Sequence, residues 1–64
     1  MLDRDERLQA FFVDEKVQKV GGDYQFLGHV VAAFTKRSGN YRYVVEDDRG
    51  ILHIFSAKQL EIRD

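Results

Sequence analysis

Residues 24–34, Tyr24-Gln25-Phe26-Leu27-Gly28-His29-Val30-Val31-Ala32-Ala33-Phe34, form the longest run of aromatic and β-branched character in the chain. Such a composition favours a strand. Gly28 lies inside the run, where a bulge or sharp bend is expected, and a bent long strand can serve two sheets. Upstream, Glu15 to Val20 has a period of two: Val17 and Lys19 point one way, Gln18 and Val20 the other, until Gly21-Gly22-Asp23 breaks the strand. Downstream, Lys36-Arg37-Ser38-Gly39-Asn40 has the composition of a hairpin loop, and Tyr41, Tyr43 and Val45 then alternate with Arg42, Val44 and Glu46. Asp47-Asp48-Arg49-Gly50 is a second tight turn, with Gly50 placed to take a positive φ, and Ile51 to Phe55 is a fourth strand. Ser56 caps one helical turn through Leu60, and Glu61-Ile62-Arg63 can form a short last strand.

The expected fold class is therefore all-β: a small SH3-like barrel of five short antiparallel strands, with a bent second strand and one helical turn before the last. An OB-fold would need longer strands and a helix between strands three and four, where only the turn Asp47 to Gly50 stands. Ahead of the strands, Leu8, Phe11 and Phe12 sit at helical spacing within Asp3 to Phe12, which predicts a short helix. A helix this short persists only if those side chains cover an apolar surface; otherwise the segment is a disordered tail. Residues 1–14 are read as this helix or flexible tail and residues 15–64 as the barrel.

A chain of 64 residues buries only about 60% of the surface that its unfolded form exposes. Small domains usually add disulfides, a structural metal or self-association, but there is no cysteine, and His29 and His53 are far apart in the sequence. Self-association is the route left. The absence of cysteine, and of an apolar leader in Met1-Leu2-Asp3-Arg4-Asp5-Glu6-Arg7, predicts a cytoplasmic protein. The longest apolar stretch, Val30 to Phe34, is far from the roughly 20 residues of a membrane span. Ten basic and eleven acidic residues give a net charge of −1, so no overall field draws the chain to nucleic acid or anionic lipid.

No serine, histidine and acid are arranged for a nucleophile, no cluster has metal-ligand spacing, and Gly21-Gly22 is too short for a phosphate loop. The remaining candidate is Leu52-His53-Ile54-Phe55. With Leu52 and Ile54 filling the barrel, His53 and Phe55 face outward side by side, an aromatic and an imidazole open to a partner. The plainer reading makes His53 a half-exposed strand residue and Phe55 the cover of an edge. Asp47 and Asp48 before Arg49 and Gly50 are ordinary turn chemistry, and Lys36, Arg37 and Arg42 read as a solvated basic loop.

From Glu15 onward the chain resembles the type B dihydrofolate reductases, the plasmid-borne, trimethoprim-insensitive enzymes. The resemblance lies in Lys16-Val17-Gln18-Lys19 before a glycine, an aromatic two residues ahead of Gly28, Tyr43-Val44-Val45-Glu46, and Gly50-Ile51-Leu52-His53-Ile54-Phe55 running into Ala57-Lys58-Gln59-Leu60-Glu61. It implies a homotetramer whose central pore takes NADPH and dihydrofolate. The family's Val-Gln-Ile-Tyr pore segment falls on Leu52, His53, Ile54 and Phe55. By resemblance, the Ile54 backbone would bond the nicotinamide carboxamide and the pterin, His53 would replace the glutamine on which the rings stack, and Phe55 would keep a ring without its hydroxyl. Lys19 would attract the cofactor phosphates, and Phe26 stands where the family has an interface tryptophan. Catalysis would come from placing hydride donor and imine side by side, which needs no protein acid. The alternative is a non-enzymatic SH3-like module, of phage or mobile-element origin, binding protein or nucleic acid through His53 and Phe55.

Overall fold

The computed structural model describes residues 6–22 and 25–63; Asp3 to Asp5 of the expected helix, and Asp23 and Tyr24 ahead of the long strand, lie outside these residues. Five strands follow in order: β1 (Lys16–Lys19), β2 (Leu27–Thr35), β3 (Tyr41–Asp47), β4 (Leu52–Phe55) and β5 (Leu60–Ile62), with one turn of 3-10 helix, Ala57–Gln59, before the last. All five join one antiparallel sheet in the order β4-β3-β2-β1-β5, so the domain is a small all-β fold with β4 and β5 at the sheet's two edges. Among the described residues, no helix is long and apolar enough to cross a membrane.

Alternation sets the core. Val17, Val30, Tyr43, Val45, Phe55, Ala57 and Leu60 are buried together, with Phe26, Ala33 and Tyr41 packed against them. The irregularity in β2 falls between Val30 and Ala32, where the pairing to β3 slips by a residue, and not at Gly28. Gly28 serves close approach instead. A Cβ there would lie 2.6 Å from the Glu46 carbonyl oxygen and 2.8 Å from Val45 Cγ1, so a side chain would separate β2 from β3.

Residues 6–14 form turns and not the expected helix. Of the three apolar side chains at helical spacing, the core takes only one: Phe11 is 2% exposed, while Leu8 and Phe12 face solvent. Phe11 packs edge-on against Tyr43 with ring centres 5.3 Å apart, and the Tyr43 hydroxyl accepts the Ala10 N–H at 2.8 Å. Asp14 donates to the Val30 carbonyl at 2.7 Å, while Arg42 holds the Glu6 carboxylate at 2.9 Å. A non-helical strap meets these scattered partners; a helix, whose backbone bonds are internal, would not.

After β4, Ser56 opens the 3-10 turn as expected. Gln59 Oε1 accepts the Ser56 N–H at 3.0 Å and its hydroxyl at 3.3 Å, which satisfies the turn's first backbone donor and directs the chain into β5.

Candidate functional site

The β3–β4 hairpin fixes the candidate strand. Gly50 (φ +81°) donates to the Asp47 carbonyl and Asp47 to the Ile51 carbonyl, each at 3.0 Å, so that Asp48, Arg49 and Gly50 make a three-residue loop ending in a left-handed glycine. Asp47 Oδ1 accepts the N–H groups of Arg49 at 2.9 Å and Ile51 at 3.0 Å. Its other oxygen lies 2.9 Å from His53 Nε2 and 3.7 Å from Arg49 Nη2. The hydrogen bond to His53, followed by those from the loop backbone and the charge of Arg49, outweighs burial and lowers the Asp47 pKa from 3.8 to about 2. An ionised carboxylate can only accept, so the hydrogen between the two side chains belongs to Nε2.

This loop sets the phase of β4. Val45 pairs with His53 and Tyr43 with Phe55; cross-strand partners share a face, and Tyr43 and Val45 point into the core. His53 and Phe55 therefore point inward, the reverse of the sequence expectation. Phe55 is 7% exposed. The His53 ring packs against Phe26, at 4.5 Å between centres, and Phe55, at 5.8 Å with the rings 8° from parallel, and the two phenylalanine rings are themselves 5.6 Å apart. Asp47 thus anchors an imidazole within an aromatic cluster.

The outer face carries the other two residues: Leu52 is 60% exposed and Ile54 62%. They do not fill the interior. Because the Asp47 N–H points at β4, antiparallel alternation makes Val45–His53 and Tyr43–Phe55 the hydrogen-bonded pairs. The N–H and C=O groups of Leu52 and Ile54 then point away from β3, off the edge of the sheet.

Lys19 ends β1 on the core side, 7% exposed, and its Nζ donates to the Gly21 carbonyl at 2.6 Å. Its backbone N–H bonds the Phe26 carbonyl at 2.9 Å, which connects it to the aromatic cluster through Phe26. The five candidates thus divide: His53 and Phe55 meet inside, Leu52 and Ile54 meet outside, and the Lys19 amine turns back on its own loop. Asp47, read from sequence as turn chemistry, performs that role and also orients His53. The spacing of an acid and a histidine across a three-residue glycine loop was the available signal.

A cleft of about 320 Å³ is bordered by Leu27, Gly28, His29, Glu46, Asp47, Asp48 and Arg63, and residues 52–55 form none of its walls. No group of three or more histidine, cysteine or acidic side chains among the described residues is placed to hold a metal ion. No protein-family model, curated protein or solved structure matches the chain.

Proposed function

We propose that this chain is a non-catalytic, cytoplasmic SH3-like module that binds an extended protein segment along the β4 edge. The supporting observation is the pairing of exposed Leu52 and Ile54 side chains with their own unpaired backbone groups on one edge strand. Strand addition uses that combination: the backbone row supplies hydrogen bonds, and alternate side chains supply selectivity. The SH3-like reading is supported by β5 pairing with β1 and by the 3-10 turn before β5.

Selection from a random library of extended peptides tests the reading. Peptides with alternating apolar residues should be enriched, and their binding should be lost in Ile54→Lys, an outward substitution that spares the core. Failure of the monomeric chain to enrich any peptide, or equal binding to the variant, refutes the proposal.

One observation favours a second reading, the NADPH-dependent reduction of dihydrofolate in a homotetramer. The Ile54 backbone groups, to which resemblance gives the nicotinamide and pterin contacts, point off the edge. The inward turn of His53 and Phe55 weighs against it. Oxidation of NADPH with dihydrofolate in the presence of trimethoprim separates the two readings: the binding module gives no turnover, and the reductase gives turnover that His53→Ala abolishes.

A further inference from the structure

We infer that the occupant of the β4 edge is β4 of a second copy of this chain, antiparallel across a two-fold axis that passes beside His53. The inference rests on the binding-edge reading above and names its partner. Unpaired strand groups are satisfied most fully by another strand, whose N–H and C=O groups repeat at the same spacing. Placing His53 beside the axis sets Leu52 opposite Ile54 of the second copy, and Ile54 opposite its Leu52. Residues of this kind exchange both backbone hydrogen bonds when paired, so the register uses both N–H and both C=O groups of Leu52 and Ile54 in each copy. It also gathers two leucines and two isoleucines on the outer face, side chains now 60% and 62% exposed.

Charge distinguishes the two edges. Free strand edges are commonly protected by lysine, glutamate, proline or a bulge. β5 is three residues long with Glu61 at its middle, and Lys58 and Arg63 flank it. β4 is Leu-His-Ile-Phe, and its one titratable side chain is turned inward onto Asp47. A two-fold axis brings each strand residue close to its own copy's equivalents, so a charged strand would oppose itself; uncharged outward side chains on β4 make identical copies compatible. The shortage of core in so short a chain is relieved by the same contact.

The test measures mass and register. Sedimentation equilibrium of the full chain should show a reversible monomer–dimer equilibrium, weakened at least about tenfold by Ile54→Lys, which places like charges in the contact. The native chain has no cysteine, so Leu52→Cys and Ile54→Cys report register directly. Under mild oxidation, a mixture of the two variants should cross-link to a dimer much faster than either alone, because position 52 faces position 54. A wild-type chain that stays monomeric at every concentration, or cross-linking that ignores which variants are mixed, overturns the inference. If the monomer nevertheless binds selected peptides at the Leu52 and Ile54 amides, the second copy is refuted while the binding edge stands. A monomer that binds none refutes both.

Discussion

Asp47 ties the β3–β4 loop to strand β4 through two backbone N–H groups and the His53 ring. Its pKa is held at about 2 in the folded chain, below the ordinary 3.8. A depressed acid stabilises the fold above its unfolded pKa, and that contribution fades as pH falls through the folded value. Urea titrations should therefore show stability declining between about pH 4 and pH 2, with Asp47→Asn less stable at neutral pH and flatter across that window. An unchanged slope would mean that Asp47 does not carry this linkage. Gly28 is the second position where a single atom matters. Gly28→Ala sets a methyl group 2.6 Å from the Glu46 carbonyl, against rigid backbone, and should cost roughly 1–3 kcal/mol in chemical denaturation.

At the scale of the element, the strap over residues 6–14 behaves as part of the core. Phe11→Ala removes a side chain that is 2% exposed and packed on Tyr43, and should cost about 3–5 kcal/mol, a large share of a small domain's stability. A flexible tail would give no change, so equilibrium unfolding of this variant decides the matter. The sequence misled here because Leu8, Phe11 and Phe12 satisfy helical spacing whether or not a neighbouring surface can receive all three. Strand boundaries were more legible: alternation in Glu15 to Val20 and Tyr41 to Glu46, with glycine at the turns, placed β1 and β3 within a residue or so. The phase of β4 was lost because Leu-His-Ile-Phe alternates one apolar pair with another ring-bearing pair, giving two acceptable faces. Pairing could have resolved it: a three-residue glycine loop after Asp47 aligns His53 with Val45 and Phe55 with Tyr43, and those partners face the core. Gly28 gave a true signal with a misjudged cause, since a missing Cβ marks close backbone approach as readily as a bulge.

Across the whole molecule, β1, β2 and β3 are flanked by strands on both sides, while β4 and β5 are the outermost strands of the sheet. Amide hydrogen exchange should accordingly be slowest in the three inner strands. The Leu52 and Ile54 amides should exchange quickly in dilute solution and slow as concentration rises, at the same concentrations at which mass doubles. Protection that did not depend on concentration would place those amides inside the monomer's own ladder. The evenly balanced charges visible in the sequence have a counterpart here, because edge selection is local: the outward side of β4 is neutral while β5 carries an acid and charged flanks.

The unequal edges have a consequence for growth. Joining β4 to β4 is an isologous contact that ends at two copies and leaves only β5 on the outside. Joining β4 to β5 would be heterologous, each addition presenting a fresh β4 to the next, and would extend into a filament. The length and charge of β5 oppose that second mode. In the proposed pairing Glu61 would be the terminator of assembly: replacing it with an aliphatic residue would leave the monomer's core untouched and should open a route from a closed pair to a fibre.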